Sequence, residues 1–453
     1  MKNYNKLLQK YIPGGAHTYS RGFDQFPSNA PQILFKGKGA YIWDNNGKKY
    51  LDYGMGLRGV TLGYSNKNVN RAAYKEILKG NSLTRPSLTE FKAAKEIVDL
   101  IPSAEMVKFT KNGSSATTAA VKIARAYTGK DYICVAKEHP FFSYDDWFIS
   151  STVMNKGAPK ILKKLTLKFN YNDAESLNIL FKKYKNKIAA VILEPATTAT
   201  PCLNGNLCQN YSNNKICAKC PNNKDNFLQQ VQRICKKQKA LLILDEMITG
   251  FRWHLKGAQS FFNIKPDLST FGKGMANGFS VAAVVGKKKF MSVGSINKKR
   301  KERSFILSTT NGAEMCGLGA FLETVKFYKQ KKVINHLWNF GKKLKEKMRD
   351  VISKHNLQDF FLLEGEDVYF NYITKNEKYE TCLQMRTLFN QEMIKNGVLI
   401  PWISPSFSHN DKEIDITIKA MDKALKIYKL ALNGNKKKYI KGHIIKPVFR
   451  KYN

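Results

Sequence analysis

The sequence is short of acidic residues for its size. Its 453 residues include 35 Asp and Glu against 76 Lys and Arg, which gives a formal net charge of +41 at pH 7. Such a charge attracts nucleic acids, anionic lipids and phosphorylated molecules. Arg is scarce, however, with 12 residues, and Lys is spread along the whole chain. Sequence-specific nucleic-acid readers instead cluster Arg in patches. We therefore interpret the charge as Lys enrichment of solvated surfaces and expect no nucleic-acid partner.

Long hydrophobic runs are also missing. The longest ones, such as Ile188–Leu193 and Ala240–Leu244, are too short to cross a bilayer and have the length of buried parallel strands. The Lys-rich start, Met1–Tyr11, lacks the apolar core of a secretory signal. These absences predict a cytoplasmic protein with no membrane partner. A hydrophobic content of 43% suits a packed globular enzyme.

Short apolar segments alternate with helical ones from about Thr84 to Gly286, which predicts an α/β fold with a mostly parallel sheet covered by helices on both faces. The turn Asn45–Gly47 predicts a hairpin near the N-terminus. The predicted strands are Tyr41–Trp43, Tyr50–Asp52, Met106–Thr110, Tyr132–Ala136, Ala189–Leu193, Leu241–Leu244, Leu268–Phe271 and Val281–Val285. The predicted helices are Ala116–Tyr127, Ala174–Lys183, Phe227–Gln238, Leu318–Gln330, Val333–Lys354 and Ile414–Ala431.

The chain is longer than one hydrophobic core usually organises, so we predict two domains. Residues 1–75 form the N-terminal segment of a small domain, and 76–325 form a large domain. Residues 326–433 complete the small α+β domain, and 434–453 form a basic tail.

Two motifs end predicted strands with a reactive side chain. Leu241–Leu244 runs into Asp245, which places a carboxylate at the edge where α/β proteins bind ligands. The next strand ends at Lys273, between Gly272 and Gly274. The glycines leave room for a planar group, and a Lys in an apolar setting loses its proton readily and can form a Schiff base.

A third motif, Lys111–Ser115, follows a strand and opens a helix. Backbone N–H groups at a helix N-terminus, with Ser hydroxyls beside them, bind phosphate. Each motif alone has an ordinary explanation: a strand-ending acid, a turn Lys or a helix cap. Together they match the three anchors of pyridoxal phosphate, which are its phosphate, its ring nitrogen and its aldehyde.

Longer stretches resemble the class III aminotransferases and, within that class, glutamate-1-semialdehyde aminomutase. The resemblance implies pyridoxal-phosphate transferase fold type I, a small-molecule amino donor and carbonyl acceptor, and a homodimer with active sites at the subunit interface. The stretches that carry it are Tyr41–Asp44, Asn112–Ala116, Ile123–Gly129, Leu193–Pro195, Leu244–Arg252 and Pro266–Lys273.

The resemblance also implies residue roles. Lys273 would hold the cofactor and then shuttle a proton, and Asp245 would keep the pyridine nitrogen protonated. Arg21 would bind a substrate carboxylate, a common use of a bidentate guanidinium. The other residues that it places at the cofactor are Asn112, Gly113, Ser114, Phe141, Glu194, Met247 and Thr309, the last reaching the phosphate of the other subunit.

Some positions depart from the family pattern. Phe141 replaces the aromatic residue that stacks on the ring, and Met247 replaces a small aliphatic residue on the opposite face; both keep an apolar sandwich. Leu57 and Ala196–Thr198 stand where aminomutases carry Trp and Gly-Asn. The ending Lys446–Asn453 resembles homologues in surface-polysaccharide and modified-sugar synthesis. These departures favour an aminotransferase acting on a sugar-like carbonyl compound, with the aminomutase as the alternative.

An insertion at 201–225 contains four of the eight cysteines, namely Cys202, Cys208, Cys217 and Cys220. In a cytosolic protein we expect no disulfides, which leaves zinc, an iron–sulfur cluster or unmetallated thiols. The two-residue spacing of the last pair is typical of zinc knuckles and predicts a structural zinc site. A regulatory zinc module or a nucleic-acid-binding protein on the same fold are alternatives from another class, and intact Asp245 and Lys273 count against both.

Overall fold

The computed structural model describes residues 3–202, 225–297 and 302–452. The chain forms two compact units, one of Met1–Asn66 with Asn335–Asn453 and one of Lys67–Ile334. The domain boundaries predicted at 75 and 325 both fall inside the second unit. No helix within the described ranges is long and apolar enough to cross a membrane.

The secondary structure is numbered in chain order. The strands are β1 (Leu34–Lys38), β2 (Tyr41–Asp44), β3 (Lys49–Asp52), β4 (Met106–Thr110), β5 (Tyr132–Ala136), β6 (Thr166–Phe169), β7 (Ile188–Leu193), β8 (Leu241–Asp245), β9 (Leu268–Phe271), β10 (Ala282–Gly286), β11 (Phe361–Glu366), β12 (Tyr369–Thr374) and β13 (Val398–Leu399). The helices are α1 (Tyr4–Tyr11), α2 (Met55–Arg58), α3 (Lys67–Ile77), α4 (Leu88–Leu100), α5 (Gly113–Thr128), α6 (Asp146–Ile149), α7 (Lys160–Leu165), α8 (Ala174–Lys183), α9 (Phe227–Lys237), α10 (Ala258–Phe261), α11 (Lys288–Met291), α12 (Met315–Lys331), α13 (Val333–Lys354), α14 (Leu383–Lys395) and α15 (Asp411–Leu432).

In its described part, the unit Lys67–Ile334 contains a seven-stranded sheet in the order β4-β10-β9-β8-β7-β5-β6. The pairs from β9 to β6 are parallel, and β10 is antiparallel to both of its neighbours. Every residue of β7, β8, β9 and β10 is buried. Burial on both sides explains why these strands are continuous apolar runs rather than alternating ones.

The two ends of helix α5 are determined by capping residues. The Asn112 side chain accepts a hydrogen bond from the Ser115 N–H at 2.9 Å, and the helix stops at Gly129, whose φ of 66° is left-handed. An Ala-rich buried face lets α5 pack against β4, β7, β8, β9 and β10. The helix therefore starts at the same sheet edge at which β4 ends.

The unit Met1–Asn66 with Asn335–Asn453 has its own core. Strand β13 pairs in parallel with β3 and completes the sheet β1-β2-β3-β13, while β11 and β12 form a separate hairpin. Helices α13, α14 and α15 contribute buried side chains such as Leu344, Met385 and Leu425. One hydrophobic cluster thus joins the N-terminal strands to the C-terminal helices.

The predicted α/β fold class and parallel sheet are confirmed, and each predicted strand and helix is present with ends shifted by at most three residues. Strand β6, with the sequence Thr-Leu-Lys-Phe, was not predicted. It is a four-residue edge strand directly after the Lys-rich helix α7. Its short, mixed pattern carries too little periodicity to separate it from the preceding helix.

Candidate active site

Five chain segments leave one edge of the large sheet. Strands β5, β7, β8 and β9 run in the same direction, and β4 shares it because β10 opposes both β4 and β9. Their carboxyl ends therefore meet at a single edge, the usual ligand side of an α/β sheet. Asn112, Glu194, Asp245 and Lys273 all lie at or within three residues of these ends.

Asp245 is a buried carboxylate with one oxygen in use. Its Oδ1 accepts hydrogen bonds from the Met247 N–H at 3.1 Å and from the Thr270 hydroxyl at 2.9 Å. No donor among the described residues bonds to Oδ2. Burial raises the pKa of Asp245 to about 6, while these hydrogen bonds and the charge of Lys273 oppose the shift.

The next residue, Glu246, is buried too but plays a different part. Both of its oxygens accept hydrogen bonds, from the N–H groups of Ala258 and Gln259 and from the side chains of Thr249 and Gln259. Through the bonds to Ala258 and Gln259, Glu246 fixes the N-terminus of α10. The two adjacent acids thus divide into a structural Glu246 and an available Asp245.

Lys273 follows β9 in a strained turn. Its φ of 44° is left-handed, a conformation that an L residue adopts only when its surroundings enforce it. Behind it, the Tyr328 hydroxyl donates to the Gly274 carbonyl at 2.6 Å. Lys273 is close enough to Asp245 to stabilise its charge electrostatically. The structure therefore brings together the two residues predicted to be catalytic.

The N-terminus of α5 carries the predicted phosphate-binding residues. Asn112 caps the helix, and the Ser114 hydroxyl accepts the Tyr144 N–H at 3.1 Å. The Ser115 and Tyr144 hydroxyls lie 3.4 Å apart. Sequence reasoning missed Tyr144, which lies 30 residues from the helix start in a segment without helix or strand.

Met247 connects all three motifs. A Cβ added to Gly113 would lie 2.8 Å from the Met247 Sδ, and one added to Gly272 would lie 2.6 Å from it. Met247 also packs with Ala116 and Ala282 in a small buried cluster. The Met247 sulfur occupies the position that a side chain at Gly272 would take, and room for a planar group at Gly272 and Gly274 stays a prediction. The glycines are needed for this close packing.

Glu194 is positioned by a histidine that sequence reasoning missed. The Glu194 N–H donates to Nδ1 of His139 at 3.0 Å, and both residues are buried. Burial lowers the pKa of His139 to about 3, so the ring is neutral and Nε2 carries the proton. Within the described ranges this Nε2 has no hydrogen-bond partner. The available signal was the position of His139 three residues after β5, at the same sheet edge.

The roles predicted for three further residues stay predictions. Phe141 is 44% exposed with its ring edge against Phe148, so its stacking role stays a prediction. Thr309 is exposed, and its proposed reach into a partner subunit stays a prediction. Arg21 lies in the other compact unit, on a short exposed turn.

The predicted zinc site falls largely outside the described residues. Cys208, Cys217 and Cys220 lie in the segment 203–224, which the structure does not describe. Cys202 is buried, and its N–H donates to the Asn172 side chain at 3.0 Å. Among the residues that are described, no group of three His, Cys, Asp or Glu side chains could hold a metal ion. Zinc at the four cysteines stays a prediction.

Comparison with known proteins decides the family. The sequence profile described as Aminotransferase class-III matches residues 25–202 and 220–400. The chain is 30% identical over 441 residues to glutamate-1-semialdehyde 2,1-aminomutase of Methanococcus maripaludis strain C6, covering 92% of this chain and 96% of that protein. A Francisella philomiragia protein of the same name is 35% identical over 297 residues, or 64% of each chain. The chain belongs to the class III aminotransferases.

Solved structures confirm that this aminotransferase has the fold of its class. An omega-transaminase from Sphaerobacter thermophilus superposes with a TM-score of 0.79 at 20% identity, covering 94% of this chain and 97% of the other. A glutamate-1-semialdehyde-aminomutase from Pseudomonas aeruginosa PAO1 gives 0.76 at 16% identity, with 94% of each chain covered. The class therefore accounts for both units of the chain.

The residues of this aminotransferase fit the cofactor of its class, pyridoxal phosphate. Asp245 keeps one oxygen to which no donor of the described residues bonds, as a protonated ring nitrogen requires. Lys273 supplies the amine beside it, and the 16-residue helix α5 presents its positive N-terminal end. These three groups belong to the same compact unit and the same sheet edge.

The raised pKa of Asp245 predicts a pH-dependent stability. In the cofactor-free protein, its contribution to folding is fully present below the unfolded pKa and is lost as pH rises through about 6. Asp245→Asn, which keeps the Oδ1 acceptor, should therefore gain up to about 3 kcal/mol over wild type between pH 4 and pH 8. Urea unfolding of both cofactor-free proteins across this range measures the difference; parallel curves would contradict it.

The packing of Met247 predicts a coupled pair of substitutions. Gly272→Ala should destabilise the protein by about 1–3 kcal/mol because its methyl group overlaps the Met247 sulfur. In the Met247→Ala background the same change should cost less, since the obstructing atom is gone. Urea unfolding of the two single variants and the double variant gives the coupling. If the losses in free energy of unfolding are strictly additive, the overlap with Met247 is not the reason that position 272 requires glycine.

Proposed function

We propose that this enzyme moves an amino group between a small-molecule amino donor and a carbonyl acceptor, with Lys273 and Asp245 as its catalytic residues. The observation that carries the proposal is the pairing of a buried carboxylate that retains an unused oxygen with a lysine at the end of the adjacent strand. Perturbed titratable groups that converge at a sheet edge are typical of active sites.

Each group would have a separate task. Pyridoxal phosphate, when bound, supplies a ring that withdraws electrons from the substrate carbon. Asp245 would hold the proton on the ring nitrogen, and its burial strengthens that interaction. Lys273 would hold the cofactor and, once released, move a proton at the substrate carbon. Asn112, Gly113 and Ser114 would bind the phosphate at the start of α5.

Several further assignments support the same activity. Glu194, fixed through its backbone by neutral His139, would contact the cofactor from the end of β7. Phe141 and Met247 would flank its ring. Thr309 would reach the phosphate of a second copy, which makes a homodimer the proposed assembly.

The substrate is proposed in two versions. The first is intermolecular transfer to a sugar-like carbonyl compound. It is supported by the ending Lys446–Asn453, which resembles homologues in surface-polysaccharide and modified-sugar synthesis, and by Leu57 and Ala196–Thr198, which replace aminomutase residues. The second is the intramolecular rearrangement of glutamate-1-semialdehyde, which the names of the relatives support. Arg21 would bind a substrate carboxylate in either version.

The cofactor lysine can be identified directly. Borohydride fixes pyridoxal phosphate to the lysine that holds it, and peptide mass spectrometry then locates the label. We expect the label on Lys273 in wild type and no covalent label in Lys273→Ala, which should still fold. Lys185→Ala removes an exposed lysine of the same unit and should label as wild type. A label on another lysine would reject the assignment of Lys273.

A nitrogen label separates the two substrate versions. The holoenzyme is incubated with ¹⁵N-glutamate and a panel of sugar-like carbonyl compounds, and separately with ¹⁵N-glutamate and unlabelled glutamate-1-semialdehyde. We expect ¹⁵N in an aminated acceptor, measured by mass spectrometry. Rearrangement of the semialdehyde without uptake of ¹⁵N would favour the aminomutase instead. If neither reaction occurs while Lys273 carries the cofactor, amino transfer with these substrates is excluded.

A further inference from the structure

The segment Met55–Arg58 turns in the left-handed sense over four consecutive residues. The φ angles are 42° for Met55, 58° for Gly56, 63° for Leu57 and 69° for Arg58. Three of the four carry side chains, and the left-handed conformation is unfavourable for each of these L residues. Such strain persists only where neighbouring groups hold it in place, and it concentrates at binding sites.

A buried carboxylate braces this turn. Asp52 accepts hydrogen bonds from the Gly54 N–H at 2.8 Å, the Met55 N–H at 2.9 Å and the Tyr64 hydroxyl at 2.7 Å. The Gly56 N–H in turn donates to the Tyr64 hydroxyl oxygen at 2.8 Å. The three N–H groups that open the turn are thereby satisfied, which fixes the direction in which the chain presents Arg58.

The Arg58 guanidinium lies over two aromatic rings. Its Cζ is 4.9 Å from the centre of the Trp402 ring and 5.3 Å from that of Tyr369. Trp402 is itself anchored, because its Nε1 donates to the Gly54 carbonyl at 3.2 Å. Arg386 donates to the preceding carbonyl, that of Pro401, at 2.8 Å. The guanidinium is therefore held in place by rings that offer no strong hydrogen-bond acceptor.

Arg58 has no anionic partner in the described part of the chain. No Asp or Glu forms an ion pair with it, and its Nε is buried without an acceptor. The other half-buried arginines of this unit differ: Arg386 donates to two backbone carbonyls, and Arg450 pairs with Asp24 at 2.6 Å. A partly buried guanidinium whose N–H donors lack acceptors destabilises the folded protein unless an anion binds to it.

A second guanidinium lies near the same turn. Arg21 is close enough to Tyr64 to act on its hydroxyl electrostatically, and Tyr64 bonds to Gly56 inside the turn. Arg21 is exposed, whereas Arg58 is only partly accessible. Two arginines of different solvent exposure thus lie near this turn, an arrangement that suits a ligand with more than one polar group.

We infer that Arg58, held by Tyr369 and Trp402, binds an oxyanion, namely a carboxylate or phosphate group. The inference goes beyond the proposed function and does not depend on it. A forked guanidinium suits either group because both present two oxygens at matching spacing.

Calorimetric titration of the full-length holoenzyme with inorganic phosphate and, separately, with succinate tests this site. At about 0.15 M salt, which screens the general positive charge, we expect saturable binding of at least one anion with a dissociation constant on the order of 1 mM. Arg58→Gln should weaken it about 10- to 100-fold, the range for hydrogen bonds to a charged group. Arg58→Lys, which keeps the charge but loses the fork, should fall between the two.

Arg349→Gln is the matched control, because it removes one exposed charge from the same unit and should leave binding unchanged. The tighter anion identifies the group as phosphate or carboxylate. Saturable binding that is equally strong in Arg58→Gln and wild type overturns the inference, as does the absence of saturable binding in wild type. If Arg58→Gln fails to fold, the wild-type titration and Arg58→Lys still decide.

The titration requires no turnover, so the two proposals fail separately. Loss of anion binding with ¹⁵N transfer intact would remove the site and leave the activity.

Discussion

The large unit is organised around Asp245, a buried carboxylate with one oxygen that accepts no hydrogen bond from the described residues. Desolvation makes the ionised form of Asp245 costly, and the two donors on Oδ1 with the nearby charge of Lys273 only partly offset that cost. A protein with no use for the second oxygen would satisfy it internally, as it does at Glu246. The two adjacent acids differ in how many of their oxygens accept hydrogen bonds. This difference, more than the motif itself, indicates that a cationic group binds at Asp245.

Close packing holds the parts of this site in register. The Met247 sulfur occupies the volume that side chains at Gly113 and Gly272 would need. Through this one flexible side chain, the turn after Asp245 contacts both the N-terminus of α5 and the end of β9. Interiors are packed densely enough that such contacts fix positions to within a fraction of an ångström. A thioether adapts to an irregular gap better than a branched aliphatic group does. The substitution of Met for a small residue therefore changes the packing while preserving an apolar wall.

The sequence predicted the sheet well because its strands are buried on both faces and read as uninterrupted apolar runs, such as Ile188–Leu193. Asp245 and Lys273 could be found because each ends such a run. Tyr144 could not, since it lies in a segment without periodicity and matters only through a tertiary contact. His139 offered only its place after β5 as a signal, and its role depends on a tertiary contact with Glu194. The filled space at Gly272 was likewise invisible, because a glycine in a sequence does not reveal what approaches it.

The charge of the chain and the chemistry of its arginines call for different explanations. A net charge of +41, mostly from dispersed Lys, acts at long range and is screened by salt. Arg58 acts at short range, because its orientation is imposed by a strained turn, a buried acid and two aromatic rings. Arg386 and Arg450, the other half-buried arginines of this unit, each have carbonyl or carboxylate acceptors within it. Arg58 is held in one orientation and has no anionic partner among the described residues, which is better explained by a bound ligand than by the general excess of basic residues. Lys enrichment alone would favour a hydrated, mobile side chain at that position.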